Sequence, residues 1–138
     1  MIRELLVTTA RQGLHPITDE VSALLPGGAD SAGLCTLFLR HTSASLLVQE
    51  RYDDSARRDL ERWLDRLVPE NDPLYTHTVE GPDDMPAHIK AALTATQIAV
   101  PFAAGRLLLG SWQGIYLWEH RHAGGERRIA VHLTVGGP

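Results

Sequence analysis

Seven histidines occur in 138 residues, and three of them stand where chemistry is plausible. His41 closes an apolar run and is followed by Thr42, Ser43 and Ser45, a polar cluster of the kind that rims a pocket at a strand end. His77 sits in a long polar connection. His88 falls one turn into a short helix, whose start offers free amides and partial positive charge and so suits anions. Three carboxylates and an amide join the candidates. Glu50 ends a strand, Asp59 lies within the main helix, and Glu119 shares strand parity with Gln113, Ile115 and Leu117. Polar groups on an apolar strand face need partners or belong to a site. Each lone histidine also has a plainer reading as a hydrogen-bonded structural residue.

The other histidines read differently. His120 and His122 have strand spacing that allows chelation, but they flank a Gly124-Gly125 hairpin signal and are expected on the solvated surface. His132 falls on the polar face of the last strand, and His15 precedes Pro16 in an expected turn. Several catalytic templates are absent: HExxH, paired CxxC, the P-loop and GxGxxG. Gly105 to Gly110 carries no phosphate-loop lysine. Ser43 near His41 lacks the G-x-S-x-G elbow of a nucleophilic serine. The residues alone define a candidate polar site without naming a reaction.

The elements that must hold these side chains follow from hydropathy patterning. Ile2 to Thr9 reads as a strand. Thr18-Asp19-Glu20 caps a short helix that Pro26-Gly27-Gly28 stops. Gly33 to His41 is a second strand with Cys35, Leu37, Leu39 and His41 on one face, and Ser45 to Glu50 is a third. Asp53, Asp54 and Ser55 open the clearest helix, whose stripe is Ala56, Leu60, Trp63, Leu64 and Leu67. Pro69 to Pro86 is a long proline-broken connection, a class of loop that is often functional. Ile89, Ala92 and Leu93 mark a second amphipathic helix. Thr96 to Phe102 is a strand, and Arg106 to His120 is strand broken at Gly110 and Gly114. In the last strand Ile129, Val131, Leu133 and Val135 alternate with polar neighbours. Trp112, Tyr116 and Trp118 share one face, expected in the core or between subunits. The mixture predicts one α+β domain over residues 1–138, with largely antiparallel, two-layered β structure.

Composition limits the function classes. The apolar fraction of 43% and the charged fraction of 22% are those of a folded globular chain, not a disordered one. A net charge of −4, with a single lysine among 13 basic residues, argues against a nucleic-acid partner. Cys35 is the only cysteine, so no intrachain disulfide forms, and its apolar neighbours make it a core residue. Met1-Ile2-Arg3-Glu4 begins a strand instead of a signal peptide, and no run approaches the ~18 apolar residues of a membrane helix. A cytoplasmic protein with no membrane partner is the expectation.

Three segments carry a family resemblance. His41-Thr42-Ser43-Ala44-Ser45 with Gln49-Glu50 and Asp59-Leu60 resembles the opening signature of the YjbQ family. His77 with Gly81-Pro82-Asp83-Asp84-Met85-Pro86-Ala87-His88-Ile89-Lys90 resembles its middle signature, and Leu109 to Glu119 its last. The likeness runs in order along the chain. It departs at Asp83-Asp84, where Asp-Asn is expected, and at Arg51, where Asn is common after Glu50. The resemblance implies a YjbQ-like β-sandwich flanked by helices that assembles as a homotrimer. It implies a secondary thiamine-phosphate synthase activity, in which a hydroxymethylpyrimidine diphosphate is coupled to a thiazole phosphate and pyrophosphate is released. Its implied catalytic positions are His41, Glu50, Asp59, Gln113 and Glu119, with metal ligation at His41, His77 and His88. Three imidazoles favour zinc; a diphosphate substrate favours magnesium. Two other classes stay open: a metal-dependent hydrolase or lyase on a small phosphorylated metabolite, and a non-enzymatic binding module with structural histidines.

Overall fold

The computed structural model describes residues 1–136; the last two positions of the expected domain, 137–138, lie outside the described residues. In chain order the elements are β1 (Ile2–Thr9), β2 (Gly13–Pro16), α1 (Thr18–Ser22), β3 (Ala32–Leu39), β4 (Ala44–Glu50), α2 (Asp54–Leu67), α3 (Asp84–Leu93), β5 (Gln97–Ala103), β6 (Arg106–Leu107), β7 (Gln113–Glu119) and β8 (Gly125–Gly136). They form a five-stranded sheet ordered β1-β8-β3-β5-β6 and a three-stranded sheet ordered β2-β7-β4, with antiparallel pairing throughout. This is the expected α+β sandwich of antiparallel sheets flanked by helices.

Strand parity builds the layers. Cys35, Leu37 and Leu39 of β3, Val100 and Phe102 of β5, and Ile129, Val131 and Leu133 of β8 face inward from the large sheet. They meet Leu46 of β4 and Ile115 and Leu117 of β7. The opposite parity of β7 presents Tyr116 and Trp118 to Leu14, Leu64 and Val68, a second core under the helical layer. Strand β7 is therefore buried on both faces, and its unbroken run Ile115-Tyr116-Leu117-Trp118 is what such a strand requires. Strand β8 buries one face only and alternates. Among the described residues, no helix is long and apolar enough to cross a membrane.

Several expectations change. Gly124-Gly125 does not turn a hairpin, because β7 and β8 belong to different sheets and the link crosses between layers. A Cβ on Gly124 would lie 2.8 Å from Thr9 Cβ and nearer still to Thr9 Oγ1 and Thr9 O, so close approach of β1, not hairpin geometry, demands that glycine. His15 lies in β2 opposite Leu117, not in a turn. Trp112 precedes β7 and is 65% exposed, stacking edge-on with Tyr52, so it does not share the buried face of Tyr116 and Trp118. On α2, Trp63 and Leu67 are exposed, because the small sheet offers a narrow contact that Leu64 and half-buried Leu60 fill. On α3 the buried side chains are Asp84, Pro86, Ala87 and Lys90, while Ala92 and Leu93 are exposed. Apolar periodicity misjudges the buried face of that helix because its two buried charges, Asp84 and Lys90, pair with Arg121 and Asp65. On β8, Val135 is exposed, and the inward parity is continued by Arg127.

Candidate metal centre beside a cleft

The site is assembled where α3 begins. Asp83, at the N-cap of α3, makes no side-chain cap. Its carboxylate instead accepts from Arg121 Nε (3.0 Å) and from the amide of His122 (2.9 Å). Asp84 is 1% exposed. Its Oδ1 accepts from Arg121 Nη1 at 2.8 Å, and its Oδ2 faces His77 Nε2 at 2.7 Å and His88 Nε2 at 3.0 Å. His88 reaches Asp84 because four residues on a helix bring side chains onto one face. His77 arrives from the long loop, which Arg121 fastens by donating to the carbonyl of Glu80 at 2.9 Å. Burial raises the cost of charge on Asp84. The His77 contact, His88 and Arg121 outweigh it and hold the carboxyl below its ordinary range.

The tautomer of His88 has a chemical consequence. Its Nδ1 lies 2.8 Å from the carbonyl oxygen of Thr42, which only accepts, so Nδ1 carries a proton. In the neutral ring Nε2 then presents a lone pair to the Asp84 carboxylate. Two acceptors at 3.0 Å repel unless a cation, either a proton or a metal ion, lies between them. One ligand atom from each of His77, Asp84 and His88 lies within 4.8 Å of the others. Orienting a ligating imidazole through a carbonyl on its far nitrogen is the usual outer support of a metal site. Arg121 on the second Asp84 oxygen gives the carboxylate the same support.

Thr42 is held by a buried network at the β3–β4 link. Arg127 Nη2 donates to Ser43 Oγ (2.9 Å) and Ser43 O (3.3 Å), and Arg127 Nε donates to Glu119 Oε1 at 2.8 Å. Glu119, 0% exposed, also accepts from Thr9 Oγ1 (2.6 Å) and the amide of Arg121 (3.1 Å). Desolvation opposes its charge, but Arg127, Thr9 and the Arg121 amide keep its carboxyl below the ordinary value. His120 is 1% exposed, not solvated as expected; its Nε2 lies 2.9 Å from Ser45 Oγ. Burial, aided by Lys90, pushes its pKa down to about 3. His122 is exposed and pairs with Glu70, and His132 is on the surface as expected.

The sequence candidates separate accordingly. His77 and His88 come together on Asp84. His41 does not join them: its Nε2 accepts from the amide of Arg128 at 2.7 Å, and burial with Arg127 lowers its pKa. It shares with His88 a cleft of about 720 Å³ that Phe38, Arg40, Thr42 and Ala92 also line. A second cavity of about 370 Å³ borders His77, Tyr75 and Met85. Glu119 is sealed in the network above. Glu50 and Gln113 pair at the far end of β4, roughly 20 Å from Ala44 by strand rise. Gln113 Oε1 closes a local turn on the Gly110 amide at 2.8 Å. Asp59 is exposed on α2. Asp84, Arg121, Arg127 and the Thr42 carbonyl were not among the candidates. The Asp84-x-x-x-His88 spacing was the available signal for the first. Nothing local announces the others, which come from the β3–β4 link (Thr42), the β7–β8 link (Arg121) and β8 (Arg127).

The fold and this cluster define an antiparallel α+β sandwich that carries an imidazole–carboxylate centre at the start of a helix. The chain belongs to the family described as UPF0047 protein YjbQ-like, whose model matches residues 3–136. The UPF0047 protein sll1880 of Synechocystis sp. is 45% identical over 130 residues, covering 94% of this chain and 88% of that one. The UPF0047 protein YjbQ of Escherichia coli O157:H7 is 43% identical over 132 residues, covering 95% of each. The crystal structure of the conserved hypothetical protein TT1486 from Thermus thermophilus superposes with a TM-score of 0.85 at 35% identity, over 96% of this chain and 99% of that one. A YbjQ-like protein of unknown function from Sulfolobus solfataricus also gives 0.85, at 26% identity, over 99% and 96%.

Proposed function

We propose that the chain is a metal-assisted transferase acting on small phosphorylated metabolites. The reaction would be that of a secondary thiamine-phosphate synthase, coupling hydroxymethylpyrimidine diphosphate to a thiazole phosphate. The observation that carries this reading is the His77–Asp84–His88 cluster, in which a neutral His88 ring turns the lone pair of Nε2 to the Asp84 carboxylate. Two imidazole nitrogens and one carboxylate oxygen suit zinc or a similar transition ion better than magnesium, which prefers oxygen ligands throughout. Such an ion, when bound, supplies positive charge to a diphosphate leaving group.

In the coupling, the thiazole nitrogen forms a bond to the pyrimidine methylene carbon with its lone pair. The carbon–oxygen bond to diphosphate breaks, and its electron pair leaves with pyrophosphate. No net proton transfer is required, so the site needs charge neutralisation and orientation more than a general base. That agrees with Asp84, whose oxygens are both engaged, and with Glu119, which is sealed from substrate. Arg121 holds Asp84 and the loop bearing His77, and the Thr42 carbonyl fixes the His88 ring. The homotrimer implied by the family resemblance and the cytoplasmic setting expected from the sequence belong to this proposal; sedimentation of the purified chain as a monomer at micromolar concentration would remove the trimer. A second reading has its own support. A two-imidazole, one-carboxylate set that leaves positions open is the ligand pattern of hydrolytic zinc sites, which favours a metal-dependent hydrolase or lyase on a phosphorylated metabolite.

The deciding experiment measures thiamine phosphate formation by the purified chain, with zinc or magnesium added, against His88→Ala purified identically. Turnover by wild type alone supports the transferase. Equal activity or equal silence in both removes it, and a screen of phosphate esters with the same metals then tests the hydrolase reading.

A further inference from the structure

One aromatic pair finds no partner surface within the folded chain. Tyr52 and Trp112 meet edge-on at the far end of the small sheet, with ring centroids 5.4 Å apart, and remain 61% and 65% exposed. Arg51 lies over the Tyr52 ring at 4.8 Å, and its amide donates to the carbonyl of Trp112 at 2.9 Å, so the segments that carry the two rings are tied together. Exposed aromatics held in this way are the residues that anchor protein interfaces. Glu50 and Gln113, opposite each other in the β4–β7 register, adjoin the pair. Glu50 is half-buried and its carbonyl accepts from the Tyr116 hydroxyl, but among the described residues its carboxylate has no hydrogen-bond or ion-pair partner.

A receiving surface lies beyond the opposite end of β4. The cleft of about 720 Å³ beside His88 includes Phe38, Arg40 and Ala92 in its lining, and all three are exposed. Arg40 has only a 3.5 Å contact to Glu4, whose other oxygen accepts from Arg128 at 2.7 Å. Phe38 also belongs to the outer side of the large sheet, where strand parity places it with Ile2, Leu6 and Leu34, all exposed. The open face of an antiparallel sheet is normally polar, so these four apolar side chains mark a contact surface. The two patches are complementary. One projects aromatic edges beside an unpaired carboxylate, and the other is an apolar hollow edged by a weakly paired guanidinium. They cannot meet within one chain, because the length of β4 keeps Glu50 roughly 20 Å from Ala44.

We propose that a second copy of this chain seats its Tyr52–Trp112 pair against the cleft beside His88, so that Glu50 and Gln113 of that copy complete the site that His77, Asp84 and His88 begin. The proposal deepens the assembly part of the function proposed above by naming the two faces that meet, and it rests on the metal reading only for the role of the cluster. Because the faces differ, copies join head to tail and close into a ring, which a two-fold pair would not do. The neighbour adds a second carboxylate and an amide beside His88.

Sedimentation and thiol cross-linking of the metal-free chain test this. Wild type is expected to assemble at micromolar concentration. Trp112→Ala, at an exposed position, should raise the dissociation constant at least about tenfold with its far-ultraviolet circular dichroism unchanged. Ser111→Cys, beside the pair, and Ala92→Cys, one turn beyond His88, place a thiol on each face, while Cys35 is buried and unreactive. A short bismaleimide should link copies of the double variant into covalent oligomers and link neither single variant. Cross-linking of a single variant, or none in a double variant that still sediments as an oligomer, puts the contact elsewhere and overturns the proposal while leaving the assembly standing. Undiminished association of Trp112→Ala overturns it too, and a monomeric wild type overturns both contact and assembly. The metal-free chain makes each result independent of whether His77 and His88 bind zinc.

Discussion

Replacing Glu119 by Gln should be among the most damaging single changes in this chain. The carboxylate is 0% exposed and accepts from Arg127 Nε, Thr9 Oγ1 and the Arg121 amide, with Arg127 Nη2 on its second oxygen. Glutamine keeps the volume but removes the charge and turns one acceptor into a donor facing donors. Arg127, at 9% exposure, is then left as a buried cation without a counter-charge. Removing one partner of a buried pair costs about 3–5 kcal/mol, a large share of the ~5–15 kcal/mol that holds a domain of this size. With an unfolding entropy of about 2.1 cal/mol/K per residue, that corresponds to a fall in Tm of about 10–17 °C. Thermal and urea unfolding of Glu119→Gln, Arg127→Met and the Glu119→Leu/Arg127→Met double variant would measure it. The double variant should lose less than the sum of the two singles, because neither charge is stranded. A single-variant loss below about 1 kcal/mol would refute the claim that the pair is a closed structural unit.

Asp84→Asn should abolish stabilisation by zinc: wild type gains Tm on zinc addition and loses it with chelator, and equal gains in the variant would remove Asp84 as a ligand. Stability should fall as pH drops from about 6.5 towards 3, because His120 is held neutral when folded but takes a proton when unfolded. The loss is on the order of 4 kcal/mol, and His120→Gln should flatten that limb of a pH series of urea titrations. Asp83, Asp84 and Glu119 have lowered folded values, so their contribution is present above the ordinary carboxylate range and is lost below it. Gly124→Ala should destabilise the chain through the close approach of Thr9 Oγ1, read as lower Tm with zinc affinity retained; an unchanged Tm would mean that the β1 end yields freely.

Much of the framework was legible in local patterning. Strand β3, the alternation of β8, the cap and start of α2, and the buried Cys35 follow from two- and 3.6-residue periods that depend on near neighbours. The chemistry-bearing residue types and the spacing that carries His88 were legible too. What local pattern could not decide is which polar residues go inside. Asp84, Lys90, Arg127 and His120 are buried because each meets a partner from another element or link: Arg121, Asp65, Glu119 and Ser45. Burying a polar group is tolerable only when such a partner exists, and the partner's position is a property of sheet order. The crossover of β7 and β8 into different sheets brings Arg121 over α3 and Arg127 under Ser43. His41, at the start of the β3–β4 link, is held by the Arg128 amide instead of joining His77 and His88, and the β4–β7 register puts Glu50 and Gln113 at the other end of the small sheet. Residue types, element lengths and the four-residue step from Asp84 to His88 were written along the chain; which polar groups are sealed inside, and by which partners, was decided by the packing of one layer on the other.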